Sequence, residues 1–291
     1  MNRAIGYVAA DVGEIEPPVL VGRLAELGYT AIDWTMEQFD PLVQDASVLV
    51  DLVSLAQGAG LEVPQLMVHE DFVTDEAAVW EERVDRTEAA VDAAATAGIP
   101  SIGVVTGPNQ WVDGALEVGS SIPHDDAWTL ALNALRRIVD HAEGTGVRVA
   151  LEPCWGTLAW NAATAEALVS DVGRETLALN IDPSHFAVSG DDVAEVVRRW
   201  GSRIAHVHLK DAFGKPGVEG EDFCFLLPGE GGTDWSEFFR ALDEVGYAGA
   251  TSVEFESFSL RDQVLGGDVI AGAELALTLV QGLLDARGEQ A

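Results

Sequence analysis

The feature that most constrains the fold of this chain is a regular alternation of eight short apolar runs with eight helix-like segments. Short apolar runs rich in β-branched residues are typical of strands buried on both faces of a parallel sheet. The runs span residues 4–9, 31–34, 62–69, 101–106, 147–152, 177–182, 204–210 and 250–256. The helix-like segments span residues 17–28, 45–59, 75–97, 125–143, 163–172, 191–200, 234–245 and 264–286.

This pattern predicts an α/β fold, a single-domain (β/α)8 TIM barrel over residues 1–291. Dividing 291 residues among eight units gives about 36 residues per unit, the usual size of a strand with its helix. Eight such units favour a closed barrel over an open doubly wound sheet. The chain also lacks a Gly-x-Gly-x-x-Gly fingerprint after a strand, which argues against a dinucleotide-binding fold. The stretch 212–233 is expected to be irregular.

Composition excludes several classes of partner. The formal net charge is −33, with 16 basic and 49 acidic residues, and a field of that sign repels the phosphates of nucleic acid. No apolar run approaches about 20 residues, so we expect no membrane span. The N-terminus lacks the features of a signal peptide, and Cys154 and Cys224 are far apart in the sequence. We therefore expect a reduced, cytoplasmic protein.

Ionisable side chains stand at the carboxyl ends of five predicted strands, where barrel enzymes carry their active sites. These strand ends are His69-Glu70-Asp71, Glu152-Pro153, Asp182-Pro183-Ser184-His185, His208-Leu209-Lys210-Asp211 and Glu254-Phe255-Glu256. Scattered surface charges would not be expected to gather at one end of a barrel.

Carboxylate and neutral imidazole are ligands that suit Mn, Co, Zn or Mg, so strands five to eight predict a divalent metal site. Side chains alternate along a strand, which places His206, His208 and Lys210 on one face, towards the barrel interior. His208 is nearer the strand end and is favoured as the ligand, with His206 expected in the core. The same alternation does not choose between Glu254 and Glu256.

Such a site predicts a reaction class. A metal with open positions polarises a carbonyl group, which acidifies the neighbouring C–H bond. Two carboxylates beside that carbon could remove a proton and return one, giving isomerisation or epimerisation. If a β-hydroxyl leaves instead, the same first step gives dehydration. Each residue alone has a simpler structural explanation, such as a helix cap at Asp182, and only the combination indicates a metal site.

Several motifs in the second half of the chain carry a family resemblance. They are Leu151-Glu152-Pro153, Asn180-x-Asp182-Pro183-Ser184-His185, His206-x-His208-x-Lys210-Asp211, Pro228-Gly229-x-Gly231, Asp234-Trp235, Gly246-Tyr247-x-Gly249 and Ser252-Val253-Glu254. At these residues the chain resembles the sugar phosphate isomerase/epimerase family of the xylose isomerase-like barrels. The first half of the chain matches only in its strand–helix rhythm.

The resemblance implies one divalent metal ion held by Glu152, Asp182, His208 and Glu254, with Mn²⁺ favoured over Mg²⁺, Co²⁺ or Zn²⁺. It thereby selects Glu254 over Glu256. It also implies that Glu152 and Glu254 act as the acid/base pair and that His185 contacts a substrate oxygen. Further candidate substrate contacts are Lys210, His69, Trp111 and Glu256.

Departures from the family pattern narrow the substrate. Ketose 3-epimerases of this superfamily carry a substrate-gripping arginine shortly after the strand-seven histidine, and here residues 212–215 are Ala-Phe-Gly-Lys. The glycine-rich loop at 229–232 could cradle an anion through its N–H groups, but acidic residues such as Glu230 crowd it. We therefore expect a neutral, unphosphorylated substrate. Aromatic residues also follow several strands, such as Trp34, Phe39, Trp155 and Phe186, and we expect most of them to serve loop packing or a subunit interface. If several faced the cavity, they would admit a substrate bulkier than a hexose.

The sequence thus predicts a metal-dependent isomerase or epimerase acting on a carbohydrate or related polyhydroxy carbonyl compound. The first alternative is a lyase on the same scaffold, of the inosose dehydratase type or cleaving a 3-keto-glycoside. An apurinic-site endonuclease and a non-catalytic barrel are the remaining alternatives, and the acidic charge argues against the endonuclease. Whether the barrels form a homo-oligomer is left open.

Overall fold

Eight parallel strands close into a barrel, so the predicted fold class is confirmed. The computed structural model describes residues 3–108, 122–216, 218 and 222–288. In chain order the strands are β1 (Ile5–Val8), β2 (Ala31–Thr35), β3 (Leu66–Met67), β4 (Ser101–Val104), β5 (Arg148–Leu151), β6 (Leu177–Ile181), β7 (Ile204–Leu209), β8 (Asp211–Gly214), β9 (Phe223–Leu226) and β10 (Thr251–Val253). Strands β1 to β7 and β10 form the barrel, and β10 closes it by pairing with both β7 and β1.

Helices surround the barrel and follow the strands as predicted. They are α1 (Pro17–Leu27), α2 (Ala46–Gly58), α3 (Ala77–Ala97), α4 (His124–Ala142), α5 (Ala162–Val172), α6 (Pro183–Ser189), α7 (Val193–Trp200), α8 (Trp235–Glu244), α9 (Phe258–Gln263) and α10 (Val269–Gly288). Local sequence sets their ends. Proline stands in the first turn of α1, and Gly28 ends that helix with φ of 107°, a left-handed conformation that favours glycine.

The barrel strands are buried because helices cover their outer faces and side chains fill the interior. Every residue of β2, β4 and β6 is buried. Apolar side chains supply most of this core, and the buried Glu152, Asp182, His208, Lys210 and Glu254 lie at the carboxyl ends of strands. The fold thus places the ionisable residues picked out by the sequence at one end of a rigid scaffold.

Several segments differ from the sequence prediction. The predicted strand over 62–69 is reduced to Leu66–Met67, because Pro64 has no N–H group to donate to the sheet, and Glu62 makes only an isolated bridge to Ala31. Two short helices, α6 and α9, were not predicted. The eighth barrel strand ends at Val253, so Glu254 and Glu256 lie beyond it.

The stretch 212–233 is not entirely irregular, because β8 and β9 pair as an antiparallel hairpin. Asp211, the first residue of β8, fixes the chain that follows this hairpin. Its carboxylate accepts hydrogen bonds from the Gly229 and Gly231 amides (3.2 and 3.0 Å) and the Trp235 indole (2.9 Å). A Cβ atom at Gly231 would lie 2.3 Å from Asp211 Oδ1, so only glycine fits this loop.

Among the described residues, α10 contains a window, Val269–Ala286, that is long and apolar enough to cross a membrane by length and composition alone. A helix that packs against the core of a globular protein can pass the same test. In α10, Ala273, Ala276, Leu277 and Val280 are buried. The helix also packs against α1, α8 and β10. These contacts are those of a helix that covers the barrel.

Candidate metal centre

Four buried side chains converge at the carboxyl ends of β5, β6, β7 and β10. Glu152, Asp182 and Glu254 each come directly after a strand, and His208 is the second-last residue of β7. One ligand atom from each of the four lies within 4.8 Å of those of the others. The structure therefore brings together all four residues that the sequence assigned to the metal.

The donor set fits a divalent cation. Three carboxylates and one imidazole are ligands for hard and borderline metals such as Mg²⁺, Mn²⁺ and Zn²⁺. Asp182 Oδ1 accepts the Ser184 amide at 2.8 Å, which makes Asp182 the cap of α6 and fixes its rotamer. Asp182 Oδ2 is buried and lies 3.1 Å from the Lys210 ammonium nitrogen. A bound cation would share this oxygen with Lys210, since a buried carboxylate is stabilised by positive charge close to it.

Burial and neighbouring charges shift the pKa values of this cluster. Burial disfavours the charged form of Glu152, but the adjacent His208 holds the pKa of its carboxyl well below the usual value. Burial also disfavours the imidazolium of His208, yet Glu152 and Glu254 outweigh it and raise the pKa to about 10. Burial raises the pKa of Glu254 to about 8, against the charge of Lys210 and with a contribution from Glu256. Without a cation, His208 and Glu254 therefore hold protons at neutral pH.

Lys210 is buried beside the four residues rather than paired with Asp211. Its Nζ lies 2.5 Å from Glu254 Oε2, 2.5 Å from Glu256 Oε2 and 3.1 Å from Asp182 Oδ2. Burial opposes the ammonium charge, but these carboxylates, with Asp182 first, hold the pKa of Lys210 well above its usual value. Lys210 also lines the cavity described below, where a substrate could reach it. Its contact with substrate stays a prediction.

Two further histidines face the same carboxylates. His185 Nε2 lies 3.8 Å from Glu152 Oε1 and 3.7 Å from Asp182 Oδ2. Burial lowers the pKa of His185, with Asp182 opposing this effect, which favours a neutral ring. His69 Nε2 lies 3.6 Å from Glu152 Oε2. Both rings line the cavity, as the predicted substrate contacts require.

The structure separates the two carboxylates on the eighth strand segment, which alternation alone does not distinguish. Glu254 Oε2 lies 3.7 Å from His208 Nδ1 and belongs to the group of four. Glu256 pairs with Lys210, and its side chain is 30% exposed, which places it nearer the opening of the cavity. The position of Glu254 agrees with the ligand that the resemblance selects.

Asn180 lies beside the cluster, and the sequence analysis did not assign it to the site. Its side-chain amide Nδ2 donates to Glu152 Oε2 at 2.9 Å, and it lies 3.1 Å from His208 Nδ1. Asn180 is buried on β6, between β5 and β7. A signal was present in the sequence, because Asn180 and Asp182 share the inward face of a strand whose other residues are apolar.

A second buried pair lies deeper in the barrel. His206 Nε2 lies 2.8 Å from Asp33 Oδ2, and the ring of His206 meets that of His208 edge to face at 5.3 Å. The expectation that His206 belongs to the core agrees with this arrangement. Its partner Asp33 was missed, because an acidic residue inside β2 gives no sign of which strand it faces.

The remaining aromatic candidates have different positions. Trp111 lies outside the residues that the structure describes. Trp34, Phe39 and Phe186 are buried in the main hydrophobic core, in agreement with the expectation that most of these aromatic residues serve packing. Trp155 lines the cavity and packs edge to face against Phe223 at 5.3 Å.

A cavity of about 910 Å³ opens above the cluster. Its inner end is ionic and its outer part is largely apolar. The ionic residues at the inner end are His69, Glu152, His185, Lys210, Glu254 and Glu256. The apolar wall comes mainly from the β8–β9 hairpin and from α9 and its flanks. Pockets of roughly 300–1,000 Å³ hold drug-sized ligands, so this cavity has room for more than a single sugar ring.

The family of the chain follows from sequence comparison. A sequence model for the xylose isomerase-like TIM barrel family matches residues 21–276. The chain belongs to this family. Its curated relatives include an inosose dehydratase of Lacticaseibacillus casei, which is 28% identical over 147 residues, 46% of this chain and 49% of that protein. The matched region thus spans about half the length of this relative.

Solved structures share the fold of this xylose isomerase-like barrel. A crystal structure of the protein IolI with a bound zinc atom aligns with a TM-score of 0.75 and 20% identity, over 98% of this chain and 99% of that one. A structure of L-ribulose 3-epimerase aligns with a TM-score of 0.74 and 20% identity, over 99% of this chain and 97% of that one. At this identity the similarity establishes the fold alone.

Proposed function

We propose that this xylose isomerase-like barrel is a divalent-metal-dependent enzyme acting on an unphosphorylated sugar or related polyhydroxy carbonyl compound. It moves a proton at the carbon next to the carbonyl group. The observation that carries the proposal is the convergence of Glu152, Asp182, His208 and Glu254, with ligand atoms within 4.8 Å of one another, beside a cavity that Glu152 and Glu254 line. The zinc atom bound to the structurally similar protein IolI supports a divalent cation on this fold.

The role we propose for each residue follows from its position in the site. A bound metal supplies Lewis-acid polarisation of the substrate carbonyl, which acidifies the adjacent C–H bond. Glu152 and Glu254 are the acid/base pair, because they extend from β5 and β10 and both line the cavity floor. His185 and His69 orient substrate oxygens from the same floor. Asn180 keeps the Glu152 carboxylate in place through its 2.9 Å hydrogen bond.

Two outcomes follow from the same first step. If one carboxylate removes the proton and the other returns one, the product is an epimer or an isomer. If a hydroxyl on the next carbon leaves, the product is that of a dehydratase. The similarity to inosose dehydratases specifically favours this second outcome, and similarity to an epimerase structure supports the first only at the level of fold.

A neutral substrate is supported by the charges and loops around the site. The Gly229 and Gly231 amides, which could otherwise bind an anion, donate to Asp211. Glu230 and Glu256 line the cavity and would repel a phosphate group. The substrate we propose is therefore recognised through hydroxyl and carbonyl oxygens.

The test is incubation of the metal-loaded protein with inososes, ketoses and aldoses in D2O, read by NMR. Deuterium next to the carbonyl with an epimer or isomer as product supports the first outcome, and loss of water supports the second. Glu152→Gln is expected to abolish exchange, and Glu143→Gln, which changes an exposed carboxylate, is expected to leave it intact. Metal-loaded protein that neither exchanges deuterium nor dehydrates any of these compounds would contradict the proposal.

A further inference from the structure

The cavity above the ionic cluster has a second part whose chemistry differs from that of a sugar site. Apolar side chains from three separate segments line it. These are Trp155 after β5, Phe223 and Phe225 on β9, and Phe258, Leu260 and Val264 on and beside α9. We refer to these six residues as the apolar wall.

The apolar wall begins directly beside the ionic cluster. Lys210 Nζ is 2.5 Å from Glu254 Oε2 and 4.5 Å from the centroid of the Phe225 ring. The ring of His185 meets the same phenyl ring edge to face at 5.6 Å. Phe225 thus stands where the two parts of the cavity meet. From there the aromatic surface continues through Phe223, whose centroid is 5.1 Å from that of Phe225.

The outer part of the wall is open to a ligand. The side chain of Phe258 is 37% exposed and that of Val264 is 72% exposed, although both border a cavity. Exposed apolar side chains around a concave site are typical of ligand-binding surfaces. A monosaccharide bound at the cluster would leave this part of the 910 Å³ cavity unfilled.

Charge limits what the wall accepts. Asp11, Glu230 and Glu256 also line the cavity, and the chain carries a net charge of −33. An anionic group would be repelled, and an aliphatic or aromatic group without charge would bury the phenyl faces.

We propose that the apolar wall is a binding subsite for a neutral aromatic substituent on the substrate, so that the substrate is a keto-glycoside, with its carbonyl group on a ring carbon such as C3, rather than a free sugar. This inference rests on the proposed function, because it places the sugar end of the substrate at the ionic cluster. The aromatic substituent packs between Phe225 of the hairpin and Phe258 of α9.

The test compares two neutral ligands that share one sugar and differ only in the aglycone, methyl 3-keto-β-D-glucoside and phenyl 3-keto-β-D-glucoside. Binding to the metal-loaded protein is measured by isothermal titration calorimetry. Burial of the phenyl ring is expected to make the phenyl keto-glucoside bind about tenfold more tightly or better. Phe225→Ala and, separately, Phe258→Ala are expected to reduce that ratio towards one.

A matched control lies on the same hairpin. Phe213 on β8 is 60% exposed and does not line the cavity, so Phe213→Ala is expected to keep the full phenyl preference. Metal content and thermal unfolding of each variant show whether the fold is intact. Should Phe225→Ala unfold, Phe258→Ala still tests the subsite, because Phe258 is partly exposed.

Equal affinities for the two keto-glucosides, a preference that survives both alanine variants, or no binding of either ligand at millimolar concentration would overturn the subsite. None of these results touches the deuterium-exchange experiment above, which decides the proposed function on free sugars and inososes. If that experiment failed and the protein still preferred the phenyl ligand, the aromatic subsite would be supported and the proposed proton transfer would be refuted.

Discussion

His206 Nε2 lies 2.8 Å from Asp33 Oδ2 inside the closed barrel, although the two residues are 173 positions apart in the chain. They belong to β7 and β2, which are not hydrogen-bonded neighbours in the sheet. The contact therefore spans the barrel interior and joins the first half of the chain to the second. Both side chains are buried, so each depends on the other for a polar partner.

We expect His206→Ala to lower the free energy of unfolding by about 3 kcal/mol, because it leaves the Asp33 carboxylate buried without this partner. The double variant Asp33→Val with His206→Leu should recover most of the loss, since apolar side chains of similar size replace both. Urea denaturation measures the effect. His141→Ala, which removes a surface contact to Asp92, serves as control and should cost less than about 1 kcal/mol. Equal losses of unfolding free energy in His206→Ala and His141→Ala would contradict the role of the buried pair.

Asn180→Ala is expected to weaken metal binding by about 10- to 100-fold, because the Glu152 carboxylate loses the amide that orients it. Competition with a chelating dye measures the change. Asn161→Ala is a matched amide control, since Asn161 caps α5 through its bond to Thr164. It should reduce stability by about 1 kcal/mol and leave metal affinity unchanged. Unaltered affinity in Asn180→Ala would show that the amide is not needed for the metal.

Metal affinity is expected to rise with pH. A cation requires deprotonated ligands, and without metal the pKa of His208 is raised to about 10 and that of Glu254 to about 8. Binding at neutral pH must displace these protons, so affinity falls as pH decreases, by about tenfold per pH unit for each proton released. Glu152 contributes no such proton, because its pKa is held well below the usual value.

Calorimetry in buffers of different ionisation enthalpy counts the protons released on metal binding. His208→Ala should reduce the count as well as the affinity. If the metal affinity were constant between pH 6 and pH 8, His208 and Glu254 could not be protonated in the metal-free protein.

A substrate and its phosphate ester should differ in turnover. We expect kcat/KM for the phosphate to be at least about tenfold lower, because Glu230 and Glu256 border the cavity and Asp211 already accepts the nearby loop amides. Steady-state kinetics on a sugar or inosose and its phosphate, at low and at high ionic strength, would measure this. Salt should narrow the difference, since it screens the repulsion. A preference for the phosphate would show that these acidic residues do not select the substrate.

The barrel and three of the four proposed ligands could be predicted from short-range patterns in the sequence. Apolar runs identify the strands, and in a parallel barrel the end of each strand points to the same face. Glu152, Asp182 and His208 could be placed together on that basis alone. Glu254 needed the family resemblance, because the strand ends at Val253 and alternation no longer applies beyond it.

The parts that were missed depend on contacts between distant segments. The sequence around Asp33 does not show that its partner is His206, and Lys210 could not be assigned to Glu254 and Glu256 rather than to the adjacent Asp211. The hairpin formed by β8 and β9 was hidden because both strands are only four residues long. The run Phe223-Cys224-Phe225-Leu226 was its one local signal, since aromatic residues favour strands.

The anchoring of the β8–β9 hairpin gives the protein separable parts. The chain that leaves β7 at the proposed ligand His208 enters the hairpin within three residues, yet Asp211, and not a metal ligand, holds the loop at its far end. The residues of the hairpin can therefore be substituted without changing any of the four proposed metal ligands. A library randomised at Phe223 and Phe225 would vary which compounds enter the cavity, while the strands that carry the four proposed ligands keep their sequence, and this makes the barrel a starting point for directed evolution.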